Sequence, residues 1–335
     1  MAINKNPAVI NRRIAGICLL IIVWAVLVSN AWRLYPPDPD CVRAVSLYTE
    51  MLKETTVIGD EYTPLTTTLG NYAIKKSSEN PVAAALMVRL LKDSGVSGDS
   101  VVAINASGSF PGFVLAALSA CSAMNIKTCI IASIGASSYG ANVSGNTIAD
   151  ILIKNQAKSP DYSILAITPG GSDDRGAELA PEELERISAM LEKQGIPFIR
   201  PENLAAAITL RTSLFATAGA TLLINIGGNH ASSGADINLS LMSGLLKPNK
   251  AGTYNEPGLI QNFLIAGIPV IQILNLKKLY AAYGLDFDQS GKLLSGAEKL
   301  FRSQKFPALA ALLPLLGMIV LLGVFGYAGI NQRRG

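Results

Sequence analysis

Ser107 and Ser109, Asp173 and Asp174, Arg175 and the single histidine, His230, stand in three glycine-rich segments: Asn105-Ala-Ser-Gly-Ser-Phe-Pro-Gly112, Thr168-Pro-Gly-Gly-Ser-Asp-Asp-Arg-Gly176 and Gly227-Gly-Asn-His-Ala-Ser-Ser-Gly234. A serine, a histidine and an acid are the parts of an acyl-transfer triad, which distant loops can assemble. Ser109 as nucleophile, His230 as base and Asp173 as orienting acid, with Asp174 as the alternative acid, follow the chain order of the α/β-hydrolases. The local motif departs from that pattern, because a nucleophile elbow reads Gly-x-Ser-x-Gly and the residues here read Asn105-Ala-Ser-Gly-Ser109. A lone histidine between Asn229 and Ala231 also serves as an ordinary hydrogen-bonding loop residue, and glycine and serine populate turns for conformational reasons alone.

The same segments suit a second chemistry, the seating of anions. Glycines free the backbone so that exposed N–H groups converge, and such turns at the start of helices hold carboxylates or phosphates. Ser107, Gly170, Gly171, Arg175, Gly227, Gly228 and Asn229 are the expected binding residues. Arg175 either receives a carboxylate or pairs locally with Asp173 and Asp174.

Elements must carry these loops. Short apolar runs at 101–104, 129–132, 163–167, 197–199, 222–226 and 269–273 alternate with helical patterns near 112–124, 145–157, 181–194, 202–217 and 256–266. Continuous apolar strands are strands covered on both faces. Strand and helix in alternation give a mostly parallel, doubly wound α/β sheet. Ligands bind such sheets outside the carboxyl ends of the strands, and all three loops follow expected strands. Two further helices are expected upstream, near 40–54 and 81–94, the second opened by Asn80 and Pro81.

Half of the 335 residues are apolar and 16% are charged. The net charge of +4 is spread along the chain without a basic block, so nucleic acid is not an expected partner. The four cysteines show no metal-ligand spacing, Cys121 and Cys129 read as small buried residues, and neither a metal nor a cofactor is expected.

Two uncharged stretches near the ends are long enough for a spanning helix, which needs about 20 apolar residues. They predict a cytoplasmic tail at 1–13, a transmembrane helix at 14–32, one extracytoplasmic α/β domain at 33–305, a second transmembrane helix at 306–330 and a cytoplasmic tail at 331–335. Lys5, Arg12 and Arg13 before the first stretch set that orientation. The first stretch exceeds the usual apolar core of a cleaved leader, which favours a retained anchor in the cell (inner) membrane.

The three loop motifs, together with this architecture over nearly the whole chain, resemble the poly-gamma-glutamate system proteins. The resemblance implies an accessory membrane subunit of poly-γ-glutamate synthesis and export, with the anionic polymer and the membrane subunits of its synthase as partners. It assigns no catalytic residues. The alternative is a membrane-anchored serine hydrolase acting on a γ-glutamyl polymer or on cell-wall peptide.

Overall fold

The buried strands are apolar on both faces because helices are threaded between them along the chain, and a computed structural model shows how they assemble. It describes residues 16, 19, 22–24, 26, 36–159, 161–228, 230–236, 238–248, 257–302, 317, 319 and 320. The chain divides into two compact units, one of residues 1–39 with 301–335 and one of residues 40–300. The second is the α/β domain, somewhat shorter at both ends than the expected 33–305.

Its central sheet has six strands: β2 (Val101–Ser107), β3 (Lys127–Ser133), β5 (Tyr162–Thr168), β6 (Leu222–Ile226), β7 (Gly244–Leu246) and β8 (Val270–Ile273), in the spatial order β5-β3-β2-β6-β8-β7. All neighbours are parallel except β7, which runs antiparallel to β8 on the edge. The architecture is therefore α/β with a mostly parallel sheet. Two shorter strands, β1 (Thr66–Thr68) and β4 (Ala136–Ser137), pair parallel to each other beside it. The run at 197–199 does not become a sheet strand; Phe198 forms a single bridge with Ile167 at the end of β5. The chain builds outward from β2 to β5 and then returns to place β6 on the other side of β2. That reversal is the topological switch point, where a crevice opens at the carboxyl ends.

The helices start where local chemistry allows. In α2 (Tyr72–Ser77) the Asn71 side chain accepts the Ile74 N–H at 3.1 Å. Helix α4 (Pro111–Ala123) opens on proline, whose missing N–H is not needed in the first turn. In α5 (Ile148–Asn155) Thr147 and Asp150 cap each other reciprocally. Around these lie α1 (Pro39–Glu54), α3 (Val82–Ser94), α6 (Pro181–Lys193), α7 (Leu204–Thr217), α8 (His230–Ser233), α9 (Leu259–Ile265) and α10 (Leu276–Ala282). Helix α4 is buried along nearly its whole length, as is α3 over Val82–Val88. Cys41, Cys121 and Cys129 are buried, and burial pushes the Cys121 thiol up to about 12.

The expected two-pass membrane location is corrected here. Among the described residues no helix is long and apolar enough to cross a membrane. The longest, α1, has 16 residues and carries both acidic and basic side chains, short of the roughly 20 apolar residues a span requires. The stretches 14–32 and 306–330 lie mostly outside the described residues, and the tails at 1–13 and 331–335 lie wholly outside them. Placement of the α/β domain on the outer side of a membrane loses its support with them.

Candidate functional site at the carboxyl edge of the sheet

Parallel register places the polar ends of neighbouring strands side by side. Ser107 of β2 aligns with Ser133 of β3, and Ser133 with Thr168 of β5. Asn105 aligns with Asn225 of β6, and Asn225 with Gln272 of β8. Two rows of polar side chains thus cross a sheet packed largely with Ile, Val, Leu and Ala.

Beneath the carboxyl edge these rows close around Arg211 of α7, which is 0% exposed. Its guanidinium donates to Asn105 Oδ1 at 2.8 Å, Ser133 Oγ at 2.9 Å, Thr168 Oγ1 at 2.7 Å and Asp174 Oδ2 at 2.6 Å. Thr168 donates to the other Asp174 oxygen at 2.7 Å. On the far side Asn105 donates to Asn225 and Ser232, and Asn225 to Gln272 and the Gly227 carbonyl. Within this network the Arg211 Nε lacks a partner among the described residues. Asp174 therefore anchors the 168–176 loop to the sheet, reached through a backbone φ of +60°.

Above this layer lies a pocket of about 150 Å³ lined by Thr67, Thr68, Ser107, Ser109, Ser133, Gly135, Gly170, Gly171, Ser172, Glu178, Gly228 and His230. All three glycine-rich loops contribute, as the topology requires. Gly227 has a φ of +92°, and a Cβ there would collide with the Ser107 hydroxyl; Gly171, at +83°, would collide with Glu178. The Gly227 amide donates to the Ile273 carbonyl at 2.9 Å, whereas those of Gly171 and Gly228 have no acceptor among the described residues. A more spacious groove, about 610 Å³, lies between α2, α10 and residues 285–289. It draws on none of the three loops, so the smaller pocket is the candidate site.

The expected site residues separate into three groups. Ser107, Ser109, Gly170, Gly171, Gly228 and His230 line the pocket together. Asp173 and Arg175 are exposed and outside its lining, and Arg175 makes no ion pair among the described residues. Asn229 lies outside the described residues. Ser109 and His230 share the pocket without a hydrogen bond between them, and His230 is exposed. The acid in the pocket lining is Glu178, held below the ordinary carboxylate value by the Ser172 hydroxyl at 2.6 Å, with the Ser172 N–H and the His230 ring adding to it.

Sequence reasoning missed Lys75, Ser137 and Glu178. Lys75 is 2% exposed, and its ammonium reaches the Ser109 carbonyl and the Ser137 hydroxyl, the latter at 2.7 Å. The Phe110 ring lies 3.9 Å from its nitrogen. Burial pushes its pKa down from the ordinary 10.5 to about 7. Ser137 in turn donates its backbone N–H to Ser109 Oγ at 3.1 Å. Among the described residues no three of His, Cys, Asp and Glu come together as a metal-binding group. Compared with known proteins, the chain matches no family model and no curated sequence, so its function is read from the site itself.

Proposed function

We propose that the α/β domain binds a carboxylate-bearing polyamide of the poly-γ-glutamate type at the carboxyl-edge pocket, as an accessory to the synthase that makes and exports it. The observation that carries this reading is the convergence of the three loops on one pocket at the switch point, with the amides of Gly171 and Gly228 unpaired among the described residues. Amides, hydroxyls and the exposed Arg175 nearby favour a ligand carboxylate. Glu178, beside Gly171 on the same wall, accepts an amide N–H. A repeating unit that offers both groups suits such a polarised pocket better than a simple anion does. The pocket falls below the roughly 300 Å³ at which drug-sized ligand sites begin, so it holds one residue of a chain and leaves the rest outside.

Calorimetric titration of the domain with γ-linked glutamate oligomers is the test. The expected result is saturable binding that weakens as salt is raised from low ionic strength, because exposed charges are screened over about 8–10 Å near physiological salt. Absence of binding at low salt would overturn the proposal.

A further inference from the structure

A pocket of about 150 Å³ holds one residue of a chain, so the rest of a bound polymer must leave across the rim. We propose that it leaves past Thr67 and Thr68 onto an aromatic platform of Tyr72 and Tyr139 with Leu69, which holds the apolar spacers of the next repeating units. The inference rests on the reading of the pocket as the seat of a γ-linked polyamide, and it adds a second subsite to that reading.

The platform is continuous with the pocket wall. Thr67 and Thr68 line the pocket and belong to β1, which pairs with β4. Beyond that pairing the two chains stay together, because the Ser138 N–H donates to the Thr68 carbonyl at 2.9 Å. The next residue on one chain is Leu69 and on the other Tyr139. Leu69 is 89% exposed and Tyr72 is 47% exposed, and the rings of Tyr72 and Tyr139 meet edge to face with centroids 5.2 Å apart. On the far side of Tyr139, a Cβ at Gly140 would collide with the Gly108 carbonyl and crowd the Ser109 Cα. The Ala141 N–H donates to the same Gly108 carbonyl at 2.7 Å. Tyr139 therefore stands one residue from the backbone that carries the pocket-lining Ser109.

Tyr139 is a costly residue for its backbone. Its φ is +61°, in the left-handed region where glycine or asparagine is usual and a bulky side chain is strained. Two hydrogen bonds impose the turn: the Tyr139 N–H donates to the Asp60 carbonyl at 2.8 Å, and the Gly59 N–H to the Tyr139 carbonyl at 3.2 Å. Both use the backbone alone, so the turn itself does not call for an aromatic ring. Strain that the surroundings hold in place is a feature of binding sites.

The chemistry of the platform selects what lies on it. The Glu61 carboxylate stands near the Tyr139 phenol and disfavours a ligand carboxylate there. A γ-linked glutamate chain carries methylenes between each α-carbon and the next amide, and these pack on aromatic rings while the carboxylates turn to water. An α-linked chain has no such spacer in its backbone. The platform thus favours the γ-linkage at equal charge.

Calorimetric titration of the full-length protein with a γ-linked glutamate oligomer, and with an α-linked one of the same length, is the test. The γ-linked oligomer should bind more tightly. Tyr72→Ala and Tyr139→Gly should each weaken its binding by about 3- to 10-fold, the usual worth of an aromatic contact, and narrow the gap between the two linkages. Tyr139→Gly suits the left-handed backbone, so the fold should survive and the loss reads the ring itself; Tyr72→Ala, at an exposed site, is the second variant. Equal binding of the γ-linked oligomer by wild type and both variants overturns the platform and spares the pocket. No binding by the wild type at low salt overturns both. Sedimentation in which the wild type self-associates and Tyr72→Ala does not would assign the platform to a second copy of the chain, and would overturn it as well.

Discussion

Two cations are buried within the same domain, Arg211 and Lys75, and their surroundings are opposite. Arg211 is ion-paired with the equally buried Asp174 and donates to three further side chains. Lys75 meets a carbonyl, a hydroxyl and an aromatic ring, and no acid among the described residues. A guanidinium keeps its charge at all ordinary pH, so burying it requires a permanent partner. An amine without such a partner escapes the penalty by releasing its proton. The first arrangement builds a scaffold beneath the pocket; the second leaves a buried amine behind Ser109, outside the pocket lining.

The largest way to break this comparison is at the scaffold. Arg211→Met leaves Asp174 buried and unpaired, and removing one partner of a buried pair costs about 3–5 kcal/mol. Urea denaturation should show a loss of that size, with a smaller loss when Asp174→Leu is added to Arg211→Met. A double variant no better than the single one would mean that Asp174 is not the group penalised.

At Lys75 the effect has the opposite sign and depends on pH. Below about pH 7 the amine is protonated in both the folded and the unfolded chain, so the folded state carries the whole desolvation penalty. Between about 7 and 10.5 the unfolded chain holds the proton and the folded chain does not, so stability rises with pH. Lys75→Met should therefore stabilise the protein most below pH 7, on the order of a few kcal/mol, with the gain fading toward pH 10.5. Thermal melts across that range that ran parallel for the two proteins would refute a depressed lysine.

Smaller again is the hinge of acid and loop at Glu178. Its carboxylate accepts the Ser172 N–H and hydroxyl at 3.0 and 2.6 Å, and charged hydrogen bonds contribute about 1.5–3 kcal/mol at most, less where water competes. Glu178→Gln should loosen residues 170–178, read as faster amide hydrogen exchange there, with a loss of stability of about 1 kcal/mol or less. Asp173→Asn is the floor of the series. Exposed and outside the pocket lining, it should change stability by less than about 0.5 kcal/mol and leave oligomer binding unaltered in the calorimeter.

The parallel strands were legible because residues covered on both faces must be apolar, and 222–226 shows it directly: all five are buried. The antiparallel β7 was not, since Gly244-Leu-Leu246 carries no alternation over three residues. Pro197-Phe-Ile199 has strand composition, yet its proline and edge position reduce it to one bridge. The loops bearing Ser109 and His230 could be placed on one edge from topology alone. Which of Asp173 and Asp174 turns inward could not, because a left-handed backbone at Asp174 decides it. Arg211 left a trace as the only charge in α7. Lys75 left none: it lies upstream of the central sheet, 34 residues from Ser109, and meets Ser137 through a two-residue strand.

Photo-crosslinking of a γ-linked glutamate oligomer to the full-length protein, with the modified peptides mapped, tests the central claim that the carboxyl-edge pocket is the working site. Crosslinks are expected in the peptides carrying Ser107–Phe110, Gly170–Glu178 and Gly228–Ser233, and they should vanish with unlabelled oligomer in excess. Crosslinks concentrated instead in the groove of Asn71, Lys277 and Asp288, or scattered without competition, would contradict it.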